Sequence, residues 1–149
     1  MKLKIVIVVF LLIVNSFIPV FGKYIGMYNG NDGCIKEFIS GIKSLLVDEN
    51  ISVDIKKEIA NKIVYLLDAK SPEGIAAFCM AMRNGNEGCV REFISGIKSL
   101  LVDENISVDI KKEIANKIVY LLDAKIPYGR TAFYVAMQDG HEGCVREFI

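Results

Sequence analysis

An internal repeat of 55 residues constrains this chain more than any other feature. The segment from Glu37 to Lys70 recurs without a single change from Glu92 to Lys125, an identity of 34 residues. Cys34, Cys89 and Cys144 keep the same spacing. Because chance does not produce such an identity, the chain is built from duplicated units. Units of this kind bury their apolar faces against their neighbours.

A glycine opens each copy, which divides the chain into units 30–84 and 85–139 and a partial unit 140–149. We assign residues 23–149 to one repeat domain. Apolar residues spaced three and four apart predict three helices in each unit, and no segment alternates as a strand does. We therefore predict an all-α fold, a solenoid of two and a fraction units.

The predicted helices follow the apolar spacing and the helix-terminating signals. Their ranges are Ile75–Asn84 and, in the next copy, Arg130–Asp139 for the first helix, Glu87–Leu101 for the second, and Ser107 or Asp109 to Asp123 for the third. We expect Gly85 and Gly140 to end the first helix in the left-handed conformation. Either Ser107 or Asp109 can cap the third helix.

The stretch from Gly129 to Ile149 resembles an ankyrin repeat. It matches in the Gly-x-Thr before the first helix, at Ala136 within that helix, in the Gly-His turn and in the Cys-Val pair of the second helix. An ordinary ankyrin unit has about 33 residues, so the third helix supplies most of the extra length. The resemblance implies an ankyrin-like solenoid that binds another protein. Long units of this kind are similar to those of secreted effector and enterotoxin-like proteins of enteric bacteria.

The two copies differ mainly between positions 71–84 and 126–139. This is the loop and first helix, which the resemblance places on the concave face of the stack. We predict that it forms the partner-binding surface. The candidate residues are Ser71, Glu73, Ile75, Cys79 and Arg83 in one copy, and Ile126, Tyr128, Arg130, Tyr134 and Gln138 in the next. The competing interpretation is a recent duplication whose edges fall at these positions.

Three of the four cysteines occupy equivalent positions in successive units. Packed helices lie about 10 Å apart, whereas a disulfide needs Cα atoms within about 4.4–6.8 Å. We therefore predict that Cys34, Cys89 and Cys144 are free, buried thiols, and that the unrepeated Cys79 lies on a helix surface. The resemblance implies that His141 braces the turn between helices. A nucleophile and base pair with Cys144 is the alternative, but no third group is evident to orient the histidine.

The 18 basic and 18 acidic residues cancel, so the chain carries no basic field that would attract nucleic acid. The cysteines and the single histidine lack zinc-type clustering, and no glycine-rich phosphate loop is present. We expect no metal, no cofactor and no catalytic site. The function that remains is protein binding. The alternative is a truncated remnant of a larger secreted effector whose active domain is missing.

The N-terminus carries a separate signal. Lys2 and Lys4 precede an apolar stretch from residue 5 to 22. This pattern resembles a secretory signal peptide, whose cleavage would leave Lys23 first. A membrane anchor is the second interpretation, since such a helix spans roughly 27 Å, and a buried first helix is the third. The first two favour a secreted or membrane-anchored protein over a cytoplasmic one, with membrane association through residues 5–22.

The third copy ends at Ile149, where the other copies continue Ser-Gly-Ile-Lys-Ser-Leu-Leu. We expect Phe148 and Ile149 to pack on the second unit. We also expect the open end of the stack to seek cover from a partner or from another copy of the chain. On this view the sequence is a piece of a longer array or a decayed gene product.

Overall fold

A computed structural model describes residues 30–65, 77–123, 125 and 127–149. Over these ranges the chain is helical apart from turns and one isolated antiparallel bridge, between Lys125 and Thr131. The prediction of an all-α fold is confirmed for this part of the chain. The predicted signal peptide or anchor, residues 1–22, lies outside the described residues.

The described helices follow the order of the two units. The first unit contains α1 (Asp32–Val47), α2 (Val53–Tyr65) and α3 (Ala77–Arg83); the second contains α4 (Glu87–Val102), α5 (Val108–Asp123) and α6 (Ala132–Gln138); the partial unit contains α7 (Glu142–Arg146). A 3-10 turn, Pro127–Gly129, precedes α6. Each of these helices is too short or too polar to span a bilayer.

The predicted ends of α4 and α5 agree with the structure to within a residue. The hydroxyl of Ser107 accepts a hydrogen bond from the Ile110 amide at 3.4 Å, so Ser107 rather than Asp109 caps α5. Gly85 and Gly140 follow the preceding short helices with φ of 68° and 73°, as predicted for residues that end a helix.

The start of α6 corrects the prediction, which began this helix at Arg130. Thr131 has extended backbone angles, and its hydroxyl accepts a hydrogen bond from the Tyr134 amide at 3.2 Å. A residue in this geometry is an N-cap, so the helix begins directly after Thr131, at Ala132, two residues later than predicted. Arg130 therefore belongs to the loop.

Equivalent helices of the two units pack against each other: α1 against α4, α2 against α5, and α3 against α6. The apolar faces that meet there form one core. Its largest fully buried side chains include Phe78 and Phe93, whose ring centroids lie 5.5 Å apart. Equivalent helices of the two units thus bury each other's apolar side chains.

The short helix α7 packs on α4 and α6. The ring of Phe148 lies edge-on to Phe133 at 5.7 Å and to Phe78 at 6.3 Å, so Phe148 packs as predicted. The prediction was wrong for Ile149, which is fully solvent-exposed. Because α7 ends at Arg146 and the chain then turns, Ile149 is carried away from the second unit.

Candidate protein-binding surface

The loop before α6 reverses the chain within a few residues. Tyr128 and Gly129 both have positive φ, 73° and 71°, and the bridge between Lys125 and Thr131 closes the loop behind them. Two successive left-handed residues produce a tight reversal of this kind. For a tyrosine this conformation is unfavourable by about 1–2 kcal/mol. The result is a phenol ring at the tip of the loop that is 92% exposed.

Arg130 links this loop to α6. Its guanidinium carbon lies 5.8 Å from the centroid of the Tyr128 ring, and Nη1 donates a hydrogen bond to Oε1 of Gln138 at 3.3 Å. Its Nε is buried and has no hydrogen-bond partner among the described residues. An arginine held by a ring and an amide in this way has lost part of its side-chain entropy before it meets a partner.

Helix α6 adds two further side chains to the same surface. Tyr134 and Gln138 are four residues apart, which places them on one face of the helix, and both are exposed. The threonine cap anchors this face through the Tyr134 amide. Tyr128, Arg130, Tyr134 and Gln138 therefore form one surface, which we call the recognition surface. Four of the ten predicted residues are brought together there.

The other six predicted residues do not join this group. Ser71, Glu73, Ile75 and Ile126 lie outside the described residues. Arg83 is exposed near the end of α3 and offers its carbonyl oxygen to the partial unit.

The prediction that Cys79 lies on a helix surface was wrong, because Cys79 is buried. Its helix α3 packs on α6 and α4, and Cys79 belongs to the core between them. Burial raises the pKa of its thiol to about 11, and the nearby Arg83 and Arg130 only partly offset this. Cys79 thus has little thiolate at neutral pH, and its sulfur is not presented to a partner.

The other predicted thiols agree with expectation where the structure describes them. Cys89 and Cys144 are buried thiols that form no disulfide, whereas the side chain of Cys34 lies outside the described part. Burial raises the pKa of the Cys144 thiol, and the carboxylates of Glu87 and Glu147 raise it further. This thiol is therefore disfavoured as a nucleophile.

The resemblance implied that His141 braces the turn between helices; in the structure its ring contacts the end of the first unit. Its Nε2 lies 2.6 Å from the carbonyl oxygen of Arg83, the last residue of α3. A carbonyl can only accept, so Nε2 carries the proton and donates it. The ring also lies over Gly85, where an added Cβ would come within 2.6 Å of Nδ1. Both contacts assign a structural role to the histidine.

Two exposed apolar residues on α6 escaped prediction. Phe133 and Met137 are identical in type to Phe78 and Met82, whereas the predicted surface comprises only positions that differ between the copies. Their exposure arises because no further described unit covers them. The residue types alone did not indicate this exposure. The order of the copies along the sequence could have, because the second full copy is followed by only part of a third.

The described residues contain no group of three or more His, Cys, Asp or Glu side chains that could hold a metal ion. No protein-family model, curated protein or solved structure matches the chain. The resemblance to the ankyrin repeat rests on the residues quoted above.

Proposed function

We propose that the chain is a protein-binding repeat module, an ankyrin-like solenoid whose constant helices support a variable surface. One observation carries the proposal. Tyr128, Arg130, Tyr134 and Gln138 lie together in the loop and helix where the copies differ, directly after a segment, Glu92–Lys125, that is identical in both copies. A fixed scaffold with a varied surface is what recognition of a particular partner requires.

The solenoid part of the proposal is supported by contacts that recur from unit to unit. Asn86 lies over Gly30 as His141 lies over Gly85, each one unit apart. Equivalent helices also pack against each other in three pairs, α1 with α4, α2 with α5 and α3 with α6. In a one-dimensional stack every unit repeats the contacts of the unit before it. These contacts favour two units and a fraction of a third.

The chemistry of the recognition surface suits a protein partner. Tyrosine and arginine are enriched at the centres of protein interfaces, because they bury large areas and retain a polar group. The guanidinium of Arg130 can pair with a carboxylate of a partner. We therefore propose a partner that offers a carboxylate beside an apolar contact. Residues 1–22 add the proposal that this partner is met outside the cytoplasm or at a membrane.

Affinity capture with the purified chain tests this function. The bait proteins are the wild type, the double variant Tyr128→Ala and Tyr134→Ala, and Tyr120→Ala as a matched control. Tyr120 is an exposed tyrosine of α5 in the segment that both copies share. We expect a retained protein that the double variant loses by about tenfold or more, since interface tyrosines of this kind contribute over about 1 kcal/mol each.

The control separates specific recognition from nonspecific binding to exposed tyrosines. The Tyr120→Ala bait should retain the same protein as the wild type, and Arg130→Ala should lose it. If no retained protein depends on Tyr128, Tyr134 or Arg130, the binding proposal is wrong. The remnant of a larger effector then becomes the better interpretation.

A further inference from the structure

The side of the first unit that packs against the second unit is buried, whereas the equivalent side of the second unit is largely exposed. Phe78 and Met82 of the first unit are 1% and 0% exposed, whereas the equivalent Phe133 and Met137 are 38% and 60% exposed. Val102 is 76% exposed, although the equivalent Val47 is partly buried. We call the uncovered side of the second unit the distal face; its residues are Leu101, Val102, Ile118, Phe133 and Met137.

On the opposite side, residues of the first unit are less buried than their equivalents in the second unit. Ile97, Leu100 and Ile110 of the second unit are buried, whereas their equivalents are only partly buried. A Cβ built on Gly96 would lie 2.6 Å from Cγ2 of Ile39, but one built on the equivalent Gly41 has no described atom within 4 Å. We call this side of the first unit the proximal face; its residues are Gly41, Ile42, Leu45 and Ile55.

Polar contacts between the two units indicate which surface would fit the distal face. Nζ of Lys43 donates to the Ser99 hydroxyl at 3.0 Å and lies 3.1 Å from Oδ2 of Asp103. One unit further along, Lys98 is the equivalent lysine and is exposed. Its partner would be the serine and aspartate of another unit of the same sequence. In this chain those equivalents are Ser44 and Asp48, which border the proximal face.

We propose that the distal face of one molecule binds the proximal face of a second copy, head to tail. The interface would repeat the one inside each molecule, with the same apolar side chains on both sides. Ile94 of one molecule would lie against Gly41 of the next, and Lys98 would pair with Asp48. Because the two faces differ, the contact does not close on itself and molecules add in a row. This inference goes beyond the proposed function, since the recognition surface takes no part in it.

The contact between the distal and proximal faces requires that α7 be displaced from the distal face. Helix α1 of the incoming molecule and α7 occupy equivalent places, and residues 30–39 and 140–149 are identical at six of ten positions. Helix α1 has 16 residues and α7 only five, so α1 reaches the part of the distal face around Val102 that α7 leaves bare. The ion pair between Arg91 and Glu147 can be exchanged for one with the equivalent Glu37 of the second copy.

Two variants block one face each. Val102→Glu places a charge on the distal face at a residue that is exposed in the single molecule. Gly41→Gln adds a side chain to the proximal face where the described structure leaves open space. Val108→Glu is the matched control. Val108 is 64% exposed, and its equivalent Val53 is 55% exposed although the next unit covers the first, so this position lies outside the contact between units.

Sedimentation velocity over a wide range of concentration gives the test, with circular dichroism to confirm that each variant is folded. We expect the wild type and Val108→Glu to associate, and Val102→Glu and Gly41→Gln each to remain monomeric alone. Mixed together, these two monomeric variants should form a one-to-one dimer, since each retains the face that the other lacks.

Several outcomes would overturn the proposal. A wild type that stays monomeric at all concentrations contradicts it, and so does association that Gly41→Gln leaves intact, which indicates a symmetric contact between two distal faces. Loss of fold in Gly41→Gln would mean that another part of the chain already covers the proximal face. A chain carrying Tyr128→Ala should associate as the wild type does, so this test and the capture experiment can fail independently.

Discussion

At the scale of single residues, His141 contributes a contact whose loss is measurable. Its Nε2 donates to the Arg83 carbonyl, and its ring lies over Gly85. We predict that His141→Ala lowers the free energy of unfolding by about 1 kcal/mol, because a net hydrogen bond contributes about 0.5–1.5 kcal/mol and water can partly replace it. Urea denaturation followed by circular dichroism measures the change.

An asparagine at this position provides the control. Asn86 occupies the equivalent place over Gly30, where a built Cβ would lie 3.3 Å from its Oδ1. His141→Asn should therefore recover part of the stability that His141→Ala loses. An alanine variant that unfolds at the wild-type urea concentration would show that the brace adds nothing.

The conformation of single residues was predicted better than their burial. Gly85 has the left-handed conformation that its place after a helix implied, because the local turn sets this conformation. Cys79 was misplaced because burial depends on which elements pack against a helix, and its helix α3 packs on α6 and α4. A single sequence carries the periodicity of a helix but not the neighbour that packs against a particular face of it.

At the scale of helices, α4 and α5 could be predicted nearly to the residue, since their apolar spacing is long and regular. The start of the seven-residue helix α6 could not, because the hydrogen bond to the Thr131 hydroxyl rather than periodicity decides where it begins. The recognition surface shows the same limit. Its residues were identified from the differences between copies, but the tyrosine at positive φ and the arginine that it holds required the three-dimensional structure.

The contact between α1 and α4 yields a prediction about pH. Asp103 accepts a hydrogen bond from the Asn105 amide at 2.9 Å and pairs with Lys43, and both lower its pKa. We predict that Lys43→Met lowers the urea midpoint at pH 7 slightly relative to Lys98→Met, since an ion pair at the surface contributes little. Lys98 is the control because it holds the same place in α4.

The sign of the pH effect follows from the direction of the shift. A lowered pKa in the folded state means that the ionised carboxylate adds stability above its unfolded value of about 3.9, and that this stability is lost as the pH falls through the lowered value. The difference between the two lysine variants should therefore be constant near neutral pH and shrink below about pH 4. Urea titrations at several pH values, at low protein concentration, measure it. A difference that persists in acid would assign the effect to packing of the lysine stem.

At the scale of the whole molecule, stability depends on how many units cover each other, since each unit of a solenoid contacts only its neighbours. The second unit is covered on one side by the first, while on the other side the short helix α7 is the one described element that lies against it. Ile97 and Leu100, which follow Ile94 in the second unit, are buried by the first unit. The same residue types placed after Ile149 would face α4 in the same way.

We therefore predict that appending Ser-Gly-Ile-Lys-Ser-Leu-Leu after Ile149 raises the free energy of unfolding by roughly 1–2 kcal/mol. Burial of each large apolar side chain contributes about 1.5–3 kcal/mol, and ordering the added backbone offsets much of it. The control extension has the same length but carries Asp, Asn and Asn in place of Ile, Leu and Leu. It should leave the urea midpoint unchanged, since it lengthens α7 without apolar cover. Equal midpoints for the wild type and both extended chains would mean that the distal face is not short of cover.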